Sequence, residues 1–271
     1  MKKLILTAAV LWVTACGWAQ TKPEAPNLSL PVPGQSQADS FTGPTIRLLF
    51  MGNNYTQAND LPFLVSQLAA SGHHQVFYDK LVGAGSTLGQ LSISDKVFHV
   101  ITGEKRDYII LQDQSVNPAL EEQRKSEFYP AVRYLDEIID RGGAKTLLFM
   151  TWGRPKGMYE NGFNDFDSMQ TQVTKGYMAI AKELNLPVAP VGEAFRNALK
   201  QDASAALWGT DGSDPSLEGS YLAACVFYAV LYKTSPVGLE FTAGLSKEQA
   251  RAMQTAAAKT VLTDPSRWNI P

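Results

Sequence analysis

Residues 46–56 have the sequence IRLLFMGNNYT, and this stretch indicates the fold class. The first six residues form a nearly continuous apolar run, as in a parallel strand that is buried on both faces. Gly52 ends the run, so Asn53 and Asn54 are predicted to lie just beyond the carboxyl end of the strand. Ligands in open α/β sheets bind outside the carboxyl ends of the strands. Asn54 is therefore the first candidate site residue.

Strand-like and helical patterns alternate along the rest of the chain. The predicted strands are residues 46–51, 75–81, 108–112, 146–151 and 188–191. The predicted helices are residues 61–70 (capped by Asn59 or Asp60), 95–102, 120–141 (bent at Pro130), 166–184, 193–200, 216–232 and 246–262. This βαβα order predicts a three-layer α/β/α sandwich with a five-stranded parallel sheet.

The N-terminus has the pattern of a targeting segment. Two lysines precede a short apolar run that ends in VTAC, residues 13–16, and the run is too short to span a membrane stably. We interpret residues 1–15 as a signal peptide, Cys16 as a lipidated first residue, 16–44 as a Pro-rich flexible tether and 45–271 as the folded domain. The expected location is extracytoplasmic, as a bacterial lipoprotein in the periplasm or on the cell surface. The alternative is ordinary cleavage after Ala19 and secretion.

Composition argues against nucleic-acid binding. The 271 residues carry 24 basic and 26 acidic side chains, a formal charge of -2, and the basic residues form no tract. The chain has two cysteines, Cys16 and Cys225. Loss or lipidation of Cys16 leaves no partner for an intramolecular disulfide, and the apolar helical surroundings of Cys225 predict a buried structural thiol.

A second polar block lies far downstream, immediately before an apolar helix. Residues 211–216 are DGSDPS, followed by GSYLAAC at 219–225 and SPVGL at 235–239. Together with GNNY after the first strand, this pattern resembles the SGNH (GDSL-type) hydrolases over roughly residues 45–239. The resemblance implies the SGNH form of the flavodoxin-like sheet, with helices on both faces. In that family a serine nucleophile occupies the position of Asn54, and the catalytic histidine occupies the position of Asp214.

The resemblance also implies the rest of the site. The oxyanion hole would comprise the backbone N–H of Asn54, the N–H of Gly85 and the side-chain amide of Gln114. The alternative for Gln114 is a loop residue that is hydrogen-bonded to the backbone. Asp211 corresponds to the triad aspartate, but it faces Asp214 in place of a histidine. Such a carboxylate pair would activate water, bind a cation or sugar hydroxyls, or simply form a turn that caps the next helix.

Other residues complete the sequence-based hypotheses. Trp152, Arg154 and Tyr159 follow the fourth strand. The rings of Trp152 and Tyr159 would stack on a sugar, and the guanidinium of Arg154 would meet an anion or carbonyl; the alternative is that the loop aromatics are packed onto the domain. The three histidines of the chain lie far from the strand carboxyl ends and are expected to be structural or at the surface: His73, His74 and His99. No metal ligand cluster or cofactor motif is found, so no metal or cofactor is expected.

The missing serine and histidine decide between the functional hypotheses. Asn cannot be deprotonated to a nucleophile, and the carboxyl of Asp has too low a pKa to relay a proton near neutral pH. The leading hypothesis is a catalytically inactive hydrolase that retains a cleft for a glycan or acyl ester. The alternatives are an active ester hydrolase that uses Asp211 and Asp214 to activate water, and a structural envelope protein with a vestigial cleft.

Overall fold

The structure, a computed structural model, describes residues 41–271, apart from the side chain of Asp95. The predicted signal peptide, Cys16 and the tether up to residue 40 lie outside the described residues. At the start of the described part, the backbone N–H groups of Thr42 and Gly43 donate to the carbonyl oxygen of His73. The first strand follows at Thr45.

The predicted five-stranded parallel sheet is confirmed. The strand order is β2-β1-β3-β4-β5, and every pairing is parallel. The strands are β1 (Thr45–Gly52), β2 (Gln75–Val82), β3 (Tyr108–Leu111), β4 (Lys145–Phe149) and β5 (Val188–Ala189). Because β1 lies between β2 and β3 and all three are parallel, the segments that follow these strands lie side by side at the carboxyl end of the sheet.

Eleven α-helical segments are assigned within the described residues. They are α1 (Asn54–Gln57), α2 (Leu61–Ser71), α3 (Leu88–Ser92), α4 (Asp95–Thr102), α5 (Val116–Ala119), α6 (Glu121–Gln123), α7 (Tyr129–Arg141), α8 (Phe166–Leu184), α9 (Val191–Gln201), α10 (Leu217–Tyr232) and α11 (Lys247–Leu262). One group of helices packs around α10, namely α2, α9 and α11, and another packs around α7, namely α3, α4 and α8. Within residues 41–271, no helix is both long and apolar enough to cross a membrane.

The helix predicted over residues 120–141 is interrupted. A π-helical segment, Arg124–Phe128, separates α6 from α7. Pro130, which we expected to bend a continuous helix, is instead in the first turn of α7. There its missing N–H removes one backbone hydrogen bond at the junction between the π-helical segment and α7. The π segment is the irregularity, and such segments occur frequently at functional sites.

Two other local features differ from the prediction. The short helix α3 was not predicted, because only two apolar residues mark it; Thr87 caps it in a capping box with Gln90. Asp60 stands at the N-cap of α2 but makes no side-chain capping bond. Its carboxylate instead pairs with Lys80 at 2.9 Å.

The core is centred on α10. Twelve consecutive residues of this helix, from Gly219 to Val230, are buried. Cys225 is among them as a free thiol, as predicted, and burial raises its pKa well above its usual range. Gly219 allows the close approach of α10 to its neighbours, since a Cβ there would lie 2.1 Å from the carbonyl oxygen of Leu207. This helix follows directly from the DGSDPS segment and holds that segment against the domain.

Candidate functional site

Asn54 begins a short helix immediately after β1. The preceding residue, Asn53, caps this helix by accepting the backbone N–H of Tyr55 on its side-chain oxygen at 3.1 Å. Asn53 is buried, whereas Asn54 is exposed. The turn therefore directs the side chain of Asn53 inward and leaves Asn54 at the surface of the site.

A buried glutamine at the end of β3 fixes this turn. The Oε1 of Gln112 accepts the N–H of Asn53 and the hydroxyl of Thr56, both at 2.9 Å, and its Nε2 donates to Asn53 Oδ1 at 2.9 Å. Gly52 leaves space for this amide, since a Cβ at that position would lie 2.2 Å from Gln112 Oε1. The sequence analysis did not identify Gln112 as a positioning residue, because its partners are more than fifty residues away along the chain.

Gly85 lies against Asn54, as the resemblance implies. Its backbone N–H donates to Asn54 Oδ1 at 3.2 Å, and the adjoining carbonyl of Ser86 accepts from Asn53 Nδ2 at 3.0 Å. Gly85 has a φ of +66°, in the left-handed region that glycine adopts without strain. The N–H expected to hold an oxyanion is therefore present, and it contacts the protein's own amide oxygen.

Asp211 organises the downstream turn. Its Oδ1 accepts the backbone N–H groups of Ser213 at 3.0 Å and Asp214 at 3.1 Å. This is the Asx-turn geometry by which aspartate stabilises a local turn. The carboxylate is thus engaged by the backbone of its own segment, which matches the turn-forming alternative.

Asp214 lies at the position of the missing histidine and is half-buried. Burial raises the pKa of its carboxyl above the usual range, and the nearby Asp211 carboxylate raises it further; a hydrogen bond from the Asn54 side chain acts in the opposite direction. Asn54 therefore lies between Gly85 and Asp214. Its carbonyl oxygen accepts the Gly85 N–H, and its side chain is near enough to Asp214 to lower the pKa of that carboxyl. The structure brings these three predicted site residues together.

The turn is attached to the rest of the site through Ser213. Its hydroxyl lies 2.8 Å from the hydroxyl of Tyr55, and its carbonyl accepts the indole N–H of Trp152 at 3.0 Å. Tyr55 belongs to α1, next to Asn54. These two contacts hold the DGSDPS turn opposite the end of β1.

Trp152 was predicted to offer a stacking face to a sugar, and this prediction is wrong. The side chain is only 1% exposed. Its ring packs parallel to that of Phe195, with the ring centroids 4.6 Å apart, and against that of Tyr55, with the centroids 4.8 Å apart. Trp152 is a core residue that supports the turn of Ser213, since the residues immediately after β4 point inward. The structure shows the packed-aromatic alternative for Trp152, whereas Tyr159 of the same loop is 82% exposed.

Arg154 lies in the loop after β4 and is half-buried. Its backbone N–H contacts the sulfur of Met169 at 3.3 Å. Its Nε is buried and has no hydrogen-bond partner among the described residues. In the described part of the chain, its guanidinium makes no hydrogen bond or ion pair with Asn54, Asp211 or Asp214.

Gln114 is half-buried, and its backbone N–H donates to the carboxylate of Asp113 at 2.8 Å. Within residues 41–271, its side-chain amide makes no hydrogen bond to Asn54 or Gly85. Donors that share one oxyanion do not hydrogen-bond to each other, so the role of Gln114 as a donor beside the N–H groups of Asn54 and Gly85 stays a prediction.

Asp113 is a fully buried carboxyl that the sequence analysis did not single out. Its Oδ1 accepts the N–H groups of Leu88 and Gln114, and its Oδ2 accepts from Asn117 Nδ2 at 3.3 Å. Burial raises the pKa of Asp113 from 3.8 to about 6. The hydrogen bonds stabilise the ionised carboxylate and act in the opposite direction, but burial has the larger effect. Asp113 links the end of β3 to the start of α3.

The histidines lie away from Asn54. His73 and His74 precede β2, at the amino end of the sheet, and His74 stacks on Tyr232 at 3.9 Å. His99 lies on α4. No histidine among the described residues is in position to replace the missing catalytic one. The described residues also contain no group of three or more His, Cys, Asp or Glu side chains that could hold a metal ion.

Known structures show the same fold. A crystal structure of a DUF4886 family protein from Bacteroides uniformis has a TM-score of 0.71 and 20% identity, over 81% of this chain and 95% of that one. A proposed SGNH hydrolase from Slackia heliotrinireducens has a TM-score of 0.57 and 23% identity, over 68% and 97%. The crystal structure of TesA has a TM-score of 0.52 and 14% identity, over 69% of this chain and 98% of that one. No protein-family model matches the chain, and no curated protein matches it.

These identities are low, so the likeness demonstrates the fold and does not transfer an activity. The chain has an SGNH-hydrolase-like α/β fold with a five-stranded parallel sheet. At the carboxyl end of β1, the site places the side-chain amide of Asn54 next to the carboxylate of Asp214 and the backbone N–H of Gly85.

Proposed function

We propose that this chain is a non-catalytic binding protein with an SGNH-hydrolase-like fold, and that its ligand is a glycan. The observation that carries the proposal is the hydrogen bond from the Gly85 N–H to Asn54 Oδ1 at 3.2 Å. A hydrolase needs that N–H for the oxyanion of its tetrahedral intermediate. Here an amide oxygen already occupies it, and the same side chain provides no nucleophile.

The proton relay is missing as well. A catalytic histidine accepts a proton from the nucleophile and returns it to the leaving group, which requires a pKa near the working pH. Burial and Asp211 raise the pKa of Asp214, but the hydrogen bond from Asn54 stabilises its ionised form. In our proposal Asp214 acts as a hydrogen-bond acceptor.

The chemistry of the exposed groups favours a hydroxyl-rich ligand over an acyl chain. Asn54, Gly85 and Asp211 are exposed, and Asp214 is half-buried. Carboxylate and amide groups accept and donate the hydrogen bonds that sugar hydroxyls make. An ester carbonyl would compete with Asn54 for the Gly85 N–H.

We further propose an extracytoplasmic location through lipidation of Cys16. The tether is the Pro-rich segment that ends before Thr42, since the N–H groups of Thr42 and Gly43 donate to His73 of the domain. The support is the VTAC pattern and the Pro-rich composition. An anchored binding protein would meet glycans of the cell envelope or its surroundings. Secretion after cleavage at Ala19 is the alternative.

A second candidate function is a hydrolase that uses Asp214 to activate water. The raised pKa of Asp214 favours it, because a carboxylate with a higher pKa is a stronger general base. The engagement of Asp211 by two backbone N–H groups argues against a shared carboxylate pair. This candidate predicts turnover in the unmodified protein.

Activity measurements on four proteins test the proposal. The unmodified protein is expected to hydrolyse activated acetyl esters no faster than background, and a serine-directed phosphonate is expected to leave it unlabelled. The variants Asn54→Ser and Asp214→His should each stay near background, because a serine needs its base and a histidine needs its nucleophile. The double variant should show measurable esterase activity.

A folding control accompanies the activity measurements. Thermal unfolding of all four proteins establishes that each is folded, so that inactivity is not confused with misfolding. Turnover or phosphonate labelling of the unmodified protein would overturn the non-catalytic assignment. A folded double variant with no more activity than either single variant would mean that Asn54 and Asp214 do not occupy the nucleophile and histidine positions in working geometry.

A further inference from the structure

A cavity of about 350 Å³ lies between α9 and α11, and the segment that follows α11 also lines it. Its volume lies within the range of small-ligand sites, about 300–1,000 Å³. None of the candidate site residues lines this cavity, so it is separate from the end of β1. Its charged lining residues are four basic ones, Arg196, Lys200, Lys259 and Arg267, and two acidic ones, Glu193 and Asp264.

The two acidic residues already have partners within the protein. Glu193 Oε1 accepts from Arg196 Nη1 at 2.7 Å and from the hydroxyl of Thr174 at 2.6 Å. Asp264 Oδ1 accepts the hydroxyl of Ser266 at 2.6 Å and the backbone N–H of Arg267 at 3.3 Å. The Nε of Arg196 also donates to Asp167, at 2.8 Å, so this arginine is neutralised by two carboxylates.

The other three basic side chains have no such partners. Within residues 41–271, Lys200, Lys259 and Arg267 form no ion pair and donate no side-chain hydrogen bond to the protein. The guanidinium of Arg267 lies over the ring of Trp268, 4.6 Å from its centroid, which leaves the N–H groups free. The whole chain has a formal charge of -2. The excess of positive charge in this cavity is therefore a local feature of the fold.

Hydrogen bonds hold the walls of the cavity together. Asn197 Nδ2 on α9 donates to Thr260 Oγ1 on α11 at 2.8 Å. The indole N–H of Trp268 donates to the carbonyl of Thr260 at 2.8 Å, and Trp268 is only 2% exposed. The three elements that carry the unpaired cations are thus fixed relative to one another. An ordered cavity that holds like charges needs an anion to offset their repulsion.

The donors of the cavity favour a phosphate group over a carboxylate. Lys200, Lys259 and Arg267 offer three positive charges and only hydrogen-bond donors. A carboxylate brings one negative charge and two oxygens, whereas a phosphate monoester brings close to two charges and three acceptor oxygens. The planar fork of a guanidinium also matches two phosphate oxygens at once.

We propose that this cavity binds the phosphate group of a small ligand, held by Lys200, Lys259 and Arg267. The site does not depend on the proposed function of the Asn54 site. The simpler explanation for the two lysines is their place in the last turns of α9 and α11, where a cation offsets the helix dipole. Such lysines would stabilise their helices without binding a phosphate.

Calorimetry on the full-length protein distinguishes the two explanations. The probes are inorganic phosphate, glucose 6-phosphate and glycerophosphoglycerol, with acetate as a carboxylate probe. The double variant Lys200→Gln/Lys259→Gln should weaken phosphate binding at least about tenfold, because two charged hydrogen bonds are lost. Lys182→Gln is the matched control and should bind like the unmodified protein, since Lys182 is an exposed last-turn lysine of α8 outside the cavity.

Thermal unfolding of the same proteins supplies a second readout. Phosphate should raise the Tm of the unmodified protein and of Lys182→Gln but not that of the double variant, because only a folded protein with an intact site gains from the ligand. Tighter binding of glucose 6-phosphate indicates a free phosphorylated ligand, and tighter binding of glycerophosphoglycerol indicates a lipid headgroup. Binding of no phosphate probe, equal binding of acetate, or an equal loss of affinity in Lys182→Gln overturns the proposal.

Discussion

Replacement of Asp113 by asparagine should abolish a specific part of the pH dependence of stability. Asp113 is fully buried at the end of β3, and burial raises its pKa to about 6 from 3.8. A carboxyl with a raised folded pKa binds its proton more tightly in the folded than in the unfolded protein. Its contribution to the free energy of unfolding is therefore largest below pH 4 and falls as the pH rises through 6.

The magnitude follows from the two pKa values. The difference between about 6 and 3.8 corresponds to a loss of about 3 kcal/mol in the free energy of unfolding, complete above pH 6. The amide that Asp113→Asn introduces would be neutral at every pH. Its oxygen can still accept the N–H groups of Leu88 and Gln114, and any mismatch with Asn117 adds an offset that does not depend on pH.

Urea unfolding of the unmodified protein and Asp113→Asn between pH 4 and pH 7.5 measures this effect. The stability of the variant relative to the unmodified protein should rise by about 2.4 kcal/mol across that range, because at pH 4 the unfolded carboxyl is already partly ionised. Glu122→Gln, which alters an exposed carboxylate, is the control and should show no such trend. Parallel pH profiles for the unmodified protein and Asp113→Asn would refute the assignment of a strongly raised pKa to Asp113.

Two further predictions concern the core and the anchor. Trp152→Ala should destabilise the protein by about 3–5 kcal/mol, measured by urea unfolding, because it removes a fully buried ring that packs on Phe195 and Tyr55; a cost below about 1 kcal/mol would mean that the ring is not in the core. Cys16→Ala should move the protein from the membrane fraction to the soluble fraction of fractionated cells. A soluble unmodified protein that begins at Gln20 would show that the lipidation hypothesis is wrong.

The sequence alone predicted the sheet, which the structure confirms. It also predicted a candidate site at the carboxyl ends of the strands. Continuous apolar runs such as residues 46–51 are typical of strands covered on both faces, and their alternation with amphipathic segments leaves few possible topologies. Asn54 and Asp214 were located from short motifs at the ends of such elements. Local features of this kind depend on residues a few positions apart, so they can be predicted from the sequence.

The long-range contacts were decided only by the tertiary structure. Gln112 holds the turn of Asn53 across 59 residues, and the N–H of Gly85 reaches Asn54 across 31. Trp152 has the same loop position in the sequence as an exposed aromatic would have, yet it is buried. Hydropathy does not reveal which side of a loop faces the core, because that depends on elements that are distant along the chain.

A groove between α3 and α7 has the same origin. Ile93 and Tyr134 are 41 positions apart, and neither belongs to a recognisable motif. They line one surface because α3, which the sequence did not predict, packs against α7 after the π-helical segment. Local sequence specifies the elements of this protein, whereas the packing of those elements decides which side chains share a site, since burial and hydrogen bonding act between residues brought together by folding.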